Sequence, residues 1–450
     1  MQPLKGLESL CLHLDAPGAP MHVSSLTLYD RSTAPAAQVE FADILRHFRE
    51  RMHRTGLFRR RVVGLPLNLA RPYWIDERDF DIEFHMRHIA LPRPGDWRQL
   101  TEQVARLHAR PLDKSRPLWE CYVIDDLDAI PGVPAGSFAL FTKAHYAALG
   151  GALSTQLFAA LHELAPGSRA SPPKEIQYFD RAPTLAQLAI ANATNTLKLP
   201  LNLARWAMTR AQPLLSVGGN GLTRWARAPA LAVDEFEFNL APRTRFNKRV
   251  TPHRVVAGVR FERAAIESLR AQVAGATELD VVLAIVAGAL REYLDGRLEL
   301  PAASLLAETS MGARGLRVVA SPIVPDTAIV RLHTDIDEPA ERLRLIVAET
   351  RRGRADVNRQ LARSLLLEAA DFVPDLVIGA ASDLLQRTRR LNQLGARSNT
   401  TISSLRGPDV PLYLAGARLV GYYGLPSLHE VSGLAHVIGT YDGALTIGVT

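Results

Sequence analysis

Short β-like runs alternate with amphipathic helical segments along the whole chain, a pattern that reads as α/β. Met21 to Tyr29 (MHVSSLTLY) predicts a strand, and Val39 to Met52 a helix with Phe41, Ile44, Leu45 and Phe48 on one stripe. Trp97 to Arg110 repeats the helical spacing and is closed by Pro111. Leu118 to Asp125 (LWECYVID) and Ser137 to Tyr146 (SFALFTKAHY) return to the β-branched and aromatic content of strands. A helix is predicted over Ala152 to Leu164.

After Ala165 the pattern changes. Pro166 to Pro173 is rich in Pro, Ser and Gly, as a linker is. Leu185 to Leu215 mixes polar and apolar residues at helical spacing, with a break predicted at Pro200, and Gly218 to Gly221 marks a second flexible patch. From Val255 the α/β rhythm resumes. Thr277 to Tyr293 is apolar nearly all round and predicts a buried helix, and strands are predicted near Ala328–Thr334, Thr400–Ser404, Ala417–Tyr423 and Ala444–Val449. The reading is two α/β halves, 1–165 and 251–450, joined by a partly helical linker over 166–250. A cleft between such halves is where a substrate usually sits.

Composition narrows the function classes. With 450 residues, 47% of them hydrophobic, the chain can bury a large core without staples. Its two cysteines, Cys11 and Cys121, are too few for a disulfide framework, which favours a reducing, cytoplasmic setting. Glu8, His13 and Asp15 interrupt the first apolar run, unlike a signal peptide, and the longest run, Val281 to Leu290, is far short of the roughly 20 residues that span a bilayer. The net charge of +7 favours anionic partners. Basic clusters at Arg46–Arg61 and Arg351–Arg354 read as solvated helix faces, and no nucleic-acid motif accompanies them.

Phosphate-loop, nucleophile-elbow and zincin motifs are absent, and the histidines lack metal-ligand spacing, so no metal is expected. The most suggestive local feature is Lys143-Ala144-His145-Tyr146-Ala147-Ala148-Leu149-Gly150-Gly151, a strand running through a His-Tyr pair into a small-residue turn. Histidine there suits proton transfer near neutral pH, and glycine allows close backbone approach. Taken alone, the feature is better accounted for by an ordinary strand-to-helix turn with a hydrogen-bonded histidine.

Six segments carry a family pattern: Pro20-Met21-His22-Val23, Arg116-Pro117-Leu118-Trp119-Glu120, Ala241-Pro242-Arg243-Thr244 with Phe246-Asn247, Gly275 to Leu294, Asn399 to Pro408 and Pro411 to Ala417. Through them the chain, from Leu4 to Thr450, resembles the bacterial wax ester synthase/diacylglycerol acyltransferase family, relatives of the condensation-domain and chloramphenicol-acetyltransferase fold. The resemblance implies two acetyltransferase-like halves with mixed sheets and a tunnel between them. It also implies acyl transfer from long-chain acyl-CoA, a substrate rather than a cofactor, to a long-chain alcohol or diacylglycerol. Membrane or lipid-droplet surfaces are the further implied partners; nucleic acid is not one.

The departures from the family pattern bear on activity. The family motif His-His-x-x-x-Asp-Gly, aligned without gaps, places His145 at the first histidine, Tyr146 at the second, Gly150 at the aspartate and Gly151 at the glycine. The second histidine is the family's base. A one-residue slip would make His145 the base, but would put Leu149 at the aspartate and displace Lys143. Successive strand residues point to opposite faces, so His145 is expected to face away from the reacting centre. The family's Asn-Asp pair is Leu279-Asp280 here, and Thr277 with Asp280 also has capping-box spacing. Of the late turn, Ser403, Gly407 and Pro408 remain, while Leu405 and Arg406 depart. Pro117, Leu118 and Trp119 are expected to pack or to contact substrate. Two readings stand: an acyltransferase of weakened or altered activity, and a noncatalytic acyl-CoA-binding homologue or partner subunit.

Overall fold

The strands expected at Met21–Tyr29 and Ser137–Tyr146 lie side by side. They span His22–Asp30 and Ser137–His145 and pair antiparallel, from His22 opposite His145 to Tyr29 opposite Phe138. The computed structural model describes the chain apart from residues 17, 35–38, 66–69, 150–157, 168–182, 217–240, 311–326, 356–367, 369, 389–395 and 430–431. The patch Gly218–Gly221, most of the expected linker over Pro166–Pro173 and residues 152–157 of the helix expected over Ala152–Leu164 therefore lie outside the described residues.

In chain order the first part holds β1 (Gln2–Pro3), α1 (Gly6–Leu14), β2 (His22–Asp30), α2 (Phe41–Arg51), β3 (Arg60–Val63), β4 (Tyr73–Asp76), β5 (Met86–Ala90), α3 (Trp97–Ala109), β6 (Trp119–Leu127), β7 (Ser137–His145) and α4 (Tyr146–Leu149). There follow α5 (Leu185–Ser216), β8 (Ala257–Glu262), α6 (Arg263–Ala271), α7 (Glu278–Asp295), β9 (Leu306–Ser310), β10 (Thr327–Arg331), α8 (Pro339–Ala355) and α9 (Asp375–Thr388). Last come β11 (Thr400–Arg406), β12 (Tyr413–Leu414), β13 (Ala417–Leu425), β14 (Ala435–Tyr441) and β15 (Ala444–Val449).

Two six-stranded sheets organise these elements, in the orders β12-β13-β2-β7-β6-β5 and β10-β9-β11-β14-β15-β8, beside a small sheet β1-β4-β3. Both large sheets are mixed: β5 runs parallel to β6, and β11 parallel to β9 and β14, among antiparallel neighbours. Residues 413–425, which the sequence division assigns to the second half, hydrogen-bond into the first half's sheet through β13 and β2. The sheets meet closely behind β13. A Cβ on Gly448 of β15 would run into the Gly424 carbonyl, and one on Gly424 into the Val437 side chain. Only glycine permits that approach.

Alternation decides what each face of the first sheet buries. Leu26 and Leu28 of β2, with Ala139 and Phe141 of β7, pack against Leu100, Val104 and Leu107 of α3. The other face packs Tyr29, Phe138 and Leu140 toward α1 and α2. The second sheet is covered by α7 and α8 through Val282, Leu283, Val286, Ile346 and Val347. Burying each such side chain contributes roughly 1.5–3 kcal/mol.

Three expectations change. The helix over Leu185–Ser216 continues through Pro200. The hydrogen bond that proline forfeits is offset by anchors on either side of it: Leu188 is buried, Asn195 Nδ2 donates to the Tyr73 hydroxyl at 2.8 Å and Trp206 Nε1 donates to Glu368 Oε2 at 2.8 Å. The basic run Arg46–Arg61 is not wholly a solvated face, because Arg51 is buried and pairs with the carboxylate of Glu163. Finally, β14 had no clear sequence signal. All seven of its residues are buried, so it lacks the alternation that marks a half-exposed strand.

Candidate active site

A cavity of about 650 Å³ opens where β7 ends, between the first sheet and β11. Val23, Ser25, Thr27 and Tyr29, alternate residues of β2, line one wall with Leu140, Thr142 and Ala144 of β7. Phe48, Leu57, Phe58 and Trp119 line a second, and Ser403 to Pro408 with Tyr422, Gly424 and Val437 line the side toward the second sheet. The lining is mostly apolar, as a site for a hydrocarbon chain must be.

Of the motif residues, Tyr146 lines this cavity and His145 does not. Tyr146 opens α4, directly after the last strand residue, and is buried. Burial pushes its phenol up to about 12, against the opposing effect of its hydrogen bonding to Ser427. His145 is almost completely buried on the alternate face. Its Nδ1 accepts the Ala147 backbone N–H at 3.0 Å, which fixes the turn into α4. Its Nε2 sits 3.7 Å from Asp15 Oδ2, beyond hydrogen-bond reach. Burial lowers the imidazole, and Asp15 only partly compensates. Asp15 itself would be raised by burial, yet His145 and Lys114 hold its carboxyl near 2. Gly150 and Gly151 lie outside the described residues.

The remaining candidates separate. Trp119 lines the cavity while its Nε1 donates to the Phe58 carbonyl at 3.0 Å and its ring stacks on His85, 4.7 Å between centroids. Pro117 and Leu118, just before it, are buried away from the cavity. Ser403, Gly407 and Pro408 all line it, and the buried Ser403 hydroxyl has no hydrogen-bond partner among the described residues. Asp280 does not reach the cavity. Its Oδ2 accepts from the Thr277 backbone N–H at 2.7 Å and hydroxyl at 2.8 Å, closing the capping box of α7.

Sequence reasoning did not find two further polar pairs, one on the cavity wall and one between the first sheet and α3. The Tyr29 hydroxyl lies 2.8 Å from His162 Nε2, and Ser24 Oγ lies 2.8 Å from His108 Nδ1. Lys143, also lining, is buried; its ammonium donates to the Leu107 and Arg110 carbonyls and lies 3.2 Å from Glu120 Oε2. Alternation along MHVSSLTLY placed Tyr29 on a face, but no local signal linked it to a residue 133 positions away.

The family comparison adds an independent observation. The sequence profile described as the wax ester synthase/diacylglycerol acyltransferase catalytic domain matches residues 4–282, and that of the WS/DGAT C-terminal domain matches residues 326–450. The chain belongs to this family. A Mycobacterium tuberculosis H37Rv protein named as a probable diacylglycerol O-acyltransferase is 30% identical to this WS/DGAT chain over 463 residues, spanning 98% of this chain and 92% of the relative. A wax ester synthase/diacylglycerol acyltransferase structure from Marinobacter aquaeolei VT8 superposes with a TM-score of 0.67 at 25% identity, covering 100% of this chain and 92% of that one. The first condensation domain of the calcium-dependent antibiotic synthetase, in complex with a substrate analogue, matches with a TM-score of 0.50 at 14% identity over 100% and 89% of the two chains, a likeness of fold. The WS/DGAT chain thus has the chloramphenicol-acetyltransferase-like architecture its motifs imply.

Proposed function

We propose that this chain is an acyl-CoA-dependent O-acyltransferase that moves a long-chain acyl group to the hydroxyl of a long-chain alcohol or diacylglycerol. The observation that carries the reading is the apolar cavity at the end of β7, with the family's base position, Tyr146, on its wall. Along β2 the lining runs from Val23 to Tyr29, about 20 Å at the rise of a strand, which accommodates an extended fatty acyl chain. Holding thioester and hydroxyl together in a dry cavity supplies proximity, the part of catalysis that needs no base.

Tyr146 changes the rate expected. A phenol near 12 stays protonated at neutral pH and cannot take the hydroxyl proton as a histidine would. Losing a positioned base costs roughly 10²–10⁴-fold, so slow transfer is the expected behaviour. The same residue favours the second reading, a noncatalytic acyl-CoA-binding homologue. Turnover of palmitoyl-CoA with hexadecanol and with diacylglycerol, followed by free thiol, separates the two. Absence of palmitoyl-CoA binding in calorimetry at high micromolar concentration would refute both.

A lipid surface is the place where such acceptors reside. Among the described residues no helix is long and apolar enough to cross a membrane. The helix α5, however, turns Ile190, Leu197, Leu201 and Met208, each more than half exposed, along one line opposite its anchored face. It contains Lys198, Arg205 and Arg210 and no acidic residue. That combination supports peripheral attachment of α5 to an anionic lipid surface.

A further inference from the structure

The apolar cavity has an end as well as walls. Along β2 its lining follows one face of the strand, from Val23 through Ser25 and Thr27, and stops at Tyr29. On β7 the lining runs from Ala144 back to Leu140, and Phe138, opposite Tyr29, is not part of it. Tyr146 stands at the other end, two residues after Ala144, the partner of Val23. The Tyr29 ring lies beside that of Phe138, 5.1 Å between centroids and 14° between planes, and both are buried. The Tyr29 hydroxyl meets His162, 2.8 Å from Nε2, and Phe158 packs against the His162 ring with 4.1 Å between centroids. Tyr29, His162 and Phe158 all line the cavity.

Hydrogen bonds hold this group in place. His162 Nδ1 lies 2.8 Å from the Phe158 carbonyl oxygen, which can only accept, so Nδ1 carries the ring proton and Nε2 accepts from the Tyr29 hydroxyl. Burial pushes the imidazole down to about 4, so the ring is uncharged at neutral pH. The backbone around it is tied down as well. His47 Nε2 donates to the Leu161 carbonyl at 2.7 Å and Arg54 Nη1 to the Ala160 carbonyl at 3.2 Å. The backbone of Glu163 pairs with that of Tyr413 at 2.9 and 2.8 Å. A ring held at both nitrogens, on anchored backbone, is a fixed obstacle, because moving it leaves buried polar groups unpaired.

We propose that Tyr29 and His162 form the wall at which the acyl chain ends, and so set the longest acyl group the cavity takes. This rests on the reading of the cavity as an acyl-CoA site with the thioester at the Tyr146 end. An extended chain advances about 1.2 Å per bond, so the roughly 20 Å of strand from Val23 to Tyr29 matches an acyl group of about sixteen carbons. Both residues determine specificity and take no part in the bond changes. Each methylene moved from water onto the apolar lining strengthens binding about fourfold. A methylene beyond the wall finds the His162 and Phe158 rings in its place and gains nothing. Forcing it in pushes those side chains off their preferred rotamers, so the longest chains bind more weakly.

Calorimetry of the full chain with lauroyl-, myristoyl-, palmitoyl-, stearoyl- and behenoyl-CoA, each below its micelle-forming concentration, reads the wall directly. Affinity should rise about fourfold per methylene from lauroyl to palmitoyl and then level off or fall. His162→Ala should move that break to stearoyl or beyond, and His162→Trp should move it to myristoyl or below. A purely structural role for His162 would lower the melting temperature of both variants without moving the break in opposite directions. Each variant decides by itself, so loss of folding in one leaves the other as the test. Affinity that keeps climbing through behenoyl-CoA in the wild type overturns the wall, as does a break that stays at palmitoyl in either folded variant. Both of those results include binding of palmitoyl-CoA and leave the proposed function standing. Failure of the wild-type protein to bind palmitoyl-CoA overturns both.

Discussion

Thr350 of α8 donates its hydroxyl to Oδ1 of Asp280 at 2.6 Å, joining two helices through the one carboxylate that also caps α7. Both side chains are wholly buried. Asp280 thus serves as cap and as tie between α7 and α8, at a distance from the cavity lining. Replacing it with alanine removes an N-terminal cap interaction and a charge-assisted hydrogen bond, together roughly 2–4 kcal/mol. Chemical denaturation of Asp280→Ala should show that loss while palmitoyl-CoA affinity is retained. Lost affinity at unchanged stability would give Asp280 a role at the substrate instead.

Restoring the family's residues at the two departing motif positions should raise turnover. Tyr146→His places an imidazole on the cavity wall, and Gly150→Asp returns the aspartate position. The double variant should release thiol faster than the wild type in the presence of hexadecanol, by up to roughly 10²–10⁴-fold. His145→Ala alone should lower thermal stability, because His145 Nδ1 holds the Ala147 N–H, and should change turnover little. Complete loss of activity in His145→Ala would make His145 the base and the gapless alignment wrong.

Buried histidines set the acid limit. Burial pushes His47, His162, His429 and His436 down to about 4 and His108 to about 3, against an ordinary value near 6.5. Between those values the unfolded chain binds more protons than the folded one, so stability rises with pH there and falls as pH drops from about 6.5 toward 4. Melting temperature should therefore decline steeply over that window, before the carboxylates titrate. His436→Gln should make the decline shallower. A melting temperature flat from pH 7 to 5 would contradict the burial of these rings as neutral groups.

The closeness of the two sheets is testable at Gly448. Gly448→Ala puts a methyl group against the Gly424 carbonyl, backbone that cannot rotate aside. The expected cost is roughly 1–3 kcal/mol in thermal or denaturant unfolding. Because Gly424 also lines the cavity, palmitoyl-CoA affinity should fall with stability. An unperturbed protein would mean that the sheets separate more readily than their contact implies.

Attachment of α5 to lipid predicts a sign as well as a site. Leu197→Asp, on the exposed stripe, should weaken cosedimentation with vesicles containing phosphatidylglycerol and leave folding intact. Raising salt should weaken wild-type binding in part, because Lys198 and Arg205 contribute by charge and the leucines do not. Equal binding by wild type and variant would remove α5 from the lipid-facing surface.

Local order is legible in the sequence alone. The aromatic and β-branched run Ser137–Tyr146 predicted β7 within one residue, Thr277 with Asp280 signalled the cap of α7, and the motif at His145–Tyr146 pointed to the wall of the cavity. These features depend on residues within four positions of one another, or on a pattern shared along the family, so a linear chain displays them. The polar pairings of the interior join distant segments: Ser24 to His108 across 84 positions, Arg51 to Glu163 across 112, His108 to Pro426 across 318. No periodicity encodes such partners. They follow from which faces of β2, α2 and α3 are buried and from the insertion of β13 into the first sheet beside β2, and burial then turns a basic residue into an interior ion pair and a helix-end histidine into a neutral proton acceptor. The sequence by itself determined the elements, the caps and the family; the tertiary structure decided which polar groups lost water together, because desolvation and hydrogen-bond geometry exist only once remote segments pack.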